Sequence, residues 1–98
     1  MAYQYPFKEV NEEAKRTVWE KGERIVHNGS QYNPNVWRWD TCGNVIKYSE
    51  HGNTDSDNGW EVDHIKPVSK GGTDHINNLQ PLQWKNNRKK SDTYPYSC

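Results

Sequence analysis

The chain has 98 residues, thirteen basic and thirteen acidic, and a formal net charge of zero at neutral pH. Apolar residues make up 31% and the mean hydropathy is −1.30, which excludes a large core; no run approaches the roughly 20 apolar residues that a membrane-spanning helix needs. The neutral balance also counts against a simple nucleic-acid-binding module, which usually carries a basic excess, and leaves the five Trp and six Tyr as the main source of buried area.

In chain order, Met1 to Val10 shows no apolar segment of the secretory kind. Residues 9–21 carry helix formers without Gly or Pro. Asn11 suits the N-cap, Ala14 and Val18 share one face, and Gly22 stops the helix. Residues 28–35 are rich in Asn, Gly, Ser and Pro and read as loop. Val36 to Asp40 reads as a short aromatic anchor, and Gly43-Asn44 as a tight turn into a strand over Val45 to Tyr48. Ser49 to Gly59 is polar throughout and reads as an exposed, mobile loop.

Beyond it the pattern changes. Trp60 to Ile65 alternates like a strand. Pro67 to Asn77 is a long loop with a turn at Gly71-Gly72. Leu79 to Leu82 is a second strand, which Pro81 marks as an edge or irregular one. Gln83 to Lys90 suits a helix, and Thr93 to Cys98 a tail. No repeat or break divides the chain, so one domain over residues 1–98 is expected, with a core at 60–92 and residues 1–59 as leader and packing elements. Two cysteines, Cys42 and Cys98, without a signal segment suggest reduced thiols and a cytoplasmic location.

The chemistry-bearing residues gather in the last third: Asp63, His64, Asn78 and Asn87, followed by Arg88, Lys89 and Lys90. Phosphodiester hydrolysis needs an activated water, a positive charge against the phosphate and a protonated leaving oxygen. One His and one hard divalent ion held by carboxylate and amide oxygens meet those needs.

The stretch WEVDHIKPVSKGGTDHINNLQPLQWKNNRKKSD, Trp60 to Asp92, resembles the HNH endonuclease family. The resemblance rests on the Asp-His pair, the Pro-x-Ser-x-Gly-Gly loop, the Asn-Leu-Gln-x-Leu strand and the Asn-Arg-x-Lys helix. Residues 37–52 resemble the leader of small bacterial and phage members more loosely. The resemblance implies an α+β fold with a ββα-metal core: two short antiparallel strands, a long connecting loop and one helix, preceded here by an N-terminal helix and an aromatic-rich leader. It implies His64 as general base, Asp63 and Asn87 as metal ligands, and Asn78 as the residue that ties the loop across and holds His64. Asn87 stands where the family often has its last His, which makes the chain an H-N-N variant. An amide oxygen favours Mg²⁺, with Mn²⁺ as the alternative, over Zn²⁺.

Many relatives carry two Cys pairs around a structural zinc. The second pair would fall at Gln83 and Asn86, and Cys42 has no partner at Val45, so no structural zinc is expected. Trp37, Trp39, Trp60 and Trp84 are expected to fill that space.

Arg88, Lys89 and Lys90, with Lys66 and Lys70, are the expected contacts to a DNA backbone, giving weak sequence preference; as an ordinary helix end, Arg88 to Lys90 would serve the macrodipole instead. Glu61 shares strand parity with Asp63 and could pair with Arg88 or the metal. His27, His51 and His75 have no assigned role. Neighbouring strand residues point to opposite faces, so a bend is expected at Asp63-His64 if both serve one site. Two further readings stay open: an HNH-fold binding module without catalysis, and a subunit of a phage or restriction assembly whose protein partner supplies targeting.

Overall fold

A computed structural model describes residues 11–98. Helix α1, Glu12–Trp19, begins where expected, because Asn11 Oδ1 accepts the Ala14 amide at 2.7 Å. It ends before residue 21: the Lys21 and Gly22 amides turn back onto Val18 and Trp19 carbonyls. Residues 9 and 10 of the expected helix lie outside the described residues. Val18 and Trp19 are its buried face.

Three antiparallel strand pairs follow. The stretch expected as loop contains a hairpin, β1 (Val26–His27) with β2 (Ser30–Gln31). Asn28 and Gly29 both adopt positive φ, 51° and 80°, which is the turn that Asn-Gly favours because its twist matches the flanking strands. The aromatic anchor is strand β3, Trp37–Trp39, paired with β4, Val45–Lys47, across the expected turn at Gly43-Asn44. Asp40 holds that turn by accepting the Cys42 and Asn44 amides, and reaches across to the Gln83 amide at 2.7 Å.

The third pair is β5, Trp60–His64, with β6, Leu79–Gln83. Val62 faces Pro81, whose missing N–H is tolerated because a two-stranded sheet has only edge strands; the Pro81 carbonyl accepts the Thr41 amide. Helix α2, Trp84–Lys90, follows β6 directly. The described residues are thus α+β, two helices and short antiparallel pairs, with a β5–loop–β6–α2 unit at the C-terminal end.

The core differs from the expected set of tryptophans. Val18, Trp19, Ile46, Trp60, Val62 and Leu79 form it, with Tyr48 and Ile76 packed against it. Trp19 and Trp60 stack with centroids 5.3 Å apart, while Trp37, Trp39 and Trp84 are only partly buried. The single helix α1 supplies the aromatic that the leader strands do not.

Two further expectations are corrected. The polar loop at 49–59 is pinned, not loose. The Gly52 amide bonds Trp60 O at 2.8 Å, Asn58 Nδ2 bonds Val45 O at 3.0 Å, and Trp84 Nε1 bonds Ser56 O at 2.7 Å. The cysteines are not thiols: the tail folds back, bringing the Cα atoms of Cys42 and Cys98 to 5.5 Å, and they form a disulfide. That removes the cysteine argument for a reducing compartment.

Candidate active site

The candidate site is built where β5 ends and the loop to β6 begins. The loop has to leave and re-enter the sheet within a short span, and Asn78 is what closes it. Its backbone carbonyl accepts the Ile65 amide at 2.7 Å. Its side chain then continues the ladder past the last strand pair: Oδ1 accepts the Lys66 amide at 2.9 Å and Nδ2 donates to the Lys66 carbonyl at 3.0 Å. Nδ2 also donates to the Thr73 carbonyl at 2.8 Å. One amide side chain therefore satisfies both backbone groups of Lys66 and fixes the middle of the loop. Pro67 is buried beneath it, short 3-10 turns form at Val68–Lys70 and Ile76–Asn78, and Gly71 turns between them at φ 93°.

His64 is 4% exposed. Its Nε2 lies 2.9 Å from Asp74 Oδ1, a loop carboxylate whose side chain is 53% exposed. Sequence reasoning missed Asp74, because nothing local marks a loop Asp ten residues on as the partner of a strand His.

Asp63 points the other way, toward α2. It is 2% exposed; Oδ2 accepts Gln80 Nε2 at 2.9 Å and Oδ1 accepts Lys90 Nζ at 3.3 Å. Burial pushes its carboxyl above the usual carboxylate range, against the opposing pull of Gln80 and Lys90. The expected bend is absent: the β5–β6 register runs unbroken through Asp63↔Gln80 and His64↔Leu79. The two side chains therefore stand on opposite faces, His64 toward the loop and Asp63 toward the helix.

Helix α2 turns Asn87 and Lys90 onto β5. Asn87 is fully buried, and its Nδ2 donates to Glu61 Oε1 at 2.7 Å. Its Oδ1 has no hydrogen-bond partner among the described residues. The Glu61 carboxylate can only accept, so it fixes the amide's orientation and leaves that oxygen orphaned. Arg88 grips Glu61 with both guanidinium nitrogens, at 2.6 and 3.0 Å, and that grip raises its pKa above the ordinary arginine range.

The basic residues separate into two groups. Lys66, Lys70 and Lys89 are exposed, and Lys66 Nζ sits 6.0 Å from the Tyr94 ring centroid. Lys90, expected at the surface, is 1% exposed and holds Asp63 and the His64 carbonyl, the latter at 2.8 Å. At the third position after Asn87 it falls on the inward face of the helix, which the run of three basic residues concealed. Among the other histidines, His75 caps the Ile76–Asn78 turn by accepting the Asn77 amide. His51 packs edge-on against Trp60, and burial lowers its pKa to about 4.

No group of three or more His, Cys, Asp or Glu among the described residues could hold a metal ion. The donor set fits a different kind of ion. A buried, unpartnered amide oxygen and a carboxylate from the facing strand are hard ligands, suited to an ion that keeps several waters, as Mg²⁺ does. They are too few and too hard for a structural zinc.

The family model described as HNH endonuclease matches residues 40–93, more than half of the chain. No curated protein and no solved structure matches.

Proposed function

Since the chain belongs to the HNH endonuclease family, we propose that it hydrolyses phosphodiester bonds of DNA with a divalent ion, Mg²⁺ or Mn²⁺. The observation that carries the metal requirement is Asn87 Oδ1, a buried acceptor left without a donor among the described residues, on the helix whose Lys90 meets Asp63. Leaving such an atom unsatisfied costs about 1–3 kcal/mol, and a cation relieves it. Asp63 and Asn87 would hold the ion; when bound, it supplies positive charge against the phosphate.

The chain's own residues do the rest. His64, the last residue of β5 and on the face opposite Asp63, takes the proton of the attacking water, so a phosphate served by both must sit at the end of the strand, where the two faces meet. Asn78 keeps the loop, and with it His64, in register with β5. Lys66, Lys70 and Lys89, with the outer part of Arg88, meet the phosphate backbone. These contacts position without specifying, so sequence preference is weak. Lys90 is buried and does not touch DNA; an ion on Asp63 would displace its Nζ from Oδ1.

The test is cleavage of supercoiled plasmid by wild type and His64→Ala under Mg²⁺, Mn²⁺, Zn²⁺ and EDTA. We expect relaxed or linear plasmid from wild type with Mg²⁺ or Mn²⁺ only, and a loss of about 100-fold or more in His64→Ala. Absence of cutting by wild type, or full cutting by the variant, overturns the proposal. One observation favours a second reading, a binding module without catalysis: Lys90 already occupies Asp63 Oδ1. Retarded DNA mobility without cleavage under every ion selects it.

A further inference from the structure

The contact between His64 and Asp74 has no part in the chemistry above. A carboxylate only accepts, so the 2.9 Å bond requires a proton on Nε2. Asp74 does not reach this position by chance. Its neighbour Thr73 is held on both sides, its carbonyl by Asn78 Nδ2 and its Oγ1 by the His75 amide. The clamp that closes the loop thus also sets where the Asp74 carboxylate stands. Asp74 is itself mostly exposed while His64 is buried. An ion pair with one partner in water contributes little to stability, so the fold alone gives no reason for this contact.

We propose that Asp74 is the positioning residue for His64: it holds the ring through Nε2 and so fixes its tautomer and orientation. This rests on the hydrolytic reading above. The water proton passes to the His64 ring while the water oxygen forms the new P–O bond. The bond to the leaving oxygen breaks with its electron pair, and solvent protonates that oxygen. His64 then returns the proton to solvent. The logic is that of a base oriented by a third group.

The test compares wild type with Asp74→Asn, Asp74→Ala and Asp74→Glu. Plasmid cleavage is measured under saturating Mn²⁺, with the urea midpoint and the ¹⁵N spectrum of the His64 ring recorded alongside. We expect kcat to fall about 10- to 100-fold in the Asn and Ala variants, with KM and urea midpoint unchanged and Asp74→Glu recovering part of the loss. The wild-type ring should show protonated Nε2, and both short variants a mixture or the opposite tautomer. Wild-type kcat in Asp74→Ala, or a loss matched by a lowered midpoint, overturns the proposal. If wild type cuts no DNA, the hydrolytic reading falls and the ring spectrum alone decides: the Nε2–H tautomer lost in Asp74→Ala upholds the positioning role, and mixed tautomers in wild type sink it.

Discussion

At Asp63 and Lys90 the chain buries two charges 3.3 Å apart, with side chains 3% and 2% exposed. Such a pair contributes little against an apolar replacement, yet removing one partner strands the other in low dielectric. Lys90→Met is therefore expected to cost about 3–5 kcal/mol, read as a lower urea midpoint. The double variant Asp63→Asn/Lys90→Met should lose clearly less than the sum of the singles, and strict additivity would show that the pair is not coupled. A second buried titratable group acts through pH. Burial, and then the charge of Lys15, lower the folded-state pKa of His51 from 6.5 to about 4, against the weaker pull of Glu61 and Glu12. Between those values the unfolded chain takes up a proton that the folded chain refuses. Stability is therefore full above pH 6.5 and falls as pH drops toward 4, by about 3 kcal/mol. His51→Gln should flatten that acid limb in urea titrations at several pH values, and an unchanged slope would assign it to other groups.

Among the elements, the loop between β5 and β6 is the one whose sequence and geometry agree most closely. Gly72 approaches the chain so tightly that a Cβ would sit 1.7 Å from the Lys66 carbonyl oxygen and 2.9 Å from that of Pro67. Gly71 has open space around it apart from the far end of Lys66, and only its φ of 93° resists a side chain. Gly72→Ala should thus cost about 2 kcal/mol or more, against about 1 kcal/mol for Gly71→Ala. It should also slow plasmid cleavage, because it pushes on the Lys66 backbone that Asn78 clamps. Equal thermal shifts for the two would contradict the close-approach argument. This loop was legible because Gly71-Gly72 marks a turn and because the family resemblance gives Asn78 its loop-tying role. The β1–β2 hairpin was missed and its turn read as loop, because strands of two residues leave no alternation to read beside Asn28-Gly29. The straight course of β5 through Asp63 and His64 was not legible: whether a strand bends is decided by its partner's register and by what each face meets. Here α2 meets one face and the loop the other. The inward turn of Lys90 escaped for the same reason, since a basic run shows charge and not which of its members the helix points at β5.

Over the whole molecule, the element that ties distant parts together is the tail. Tyr94, Pro95 and Tyr96 wall a cavity of about 140 Å³ with Gln80 and Lys90, so the tail lies against the residues that hold Asp63. Its far end is bonded to the β3–β4 turn through Cys42–Cys98, across a sequence separation of 56. The closed segment contains β4, β5, β6 and α2, which is nearly all of the family-matched region. With so few apolar residues, a core of this size is marginal, and limiting the unfolded chain matters more than it would in a larger domain. Closing a loop of that length stabilises by about 4 kcal/mol. The expected result is a urea midpoint that falls by this amount in dithiothreitol, and no free thiol in the native oxidised protein by colorimetric assay. Cys42→Ser, Cys98→Ser and the double variant should lose the same amount as one another and as the reduced wild type, because each opens the same single loop. A midpoint indifferent to reductant, or losses that add in the double variant, would mean that the cysteines stabilise by packing and not by the bond between them.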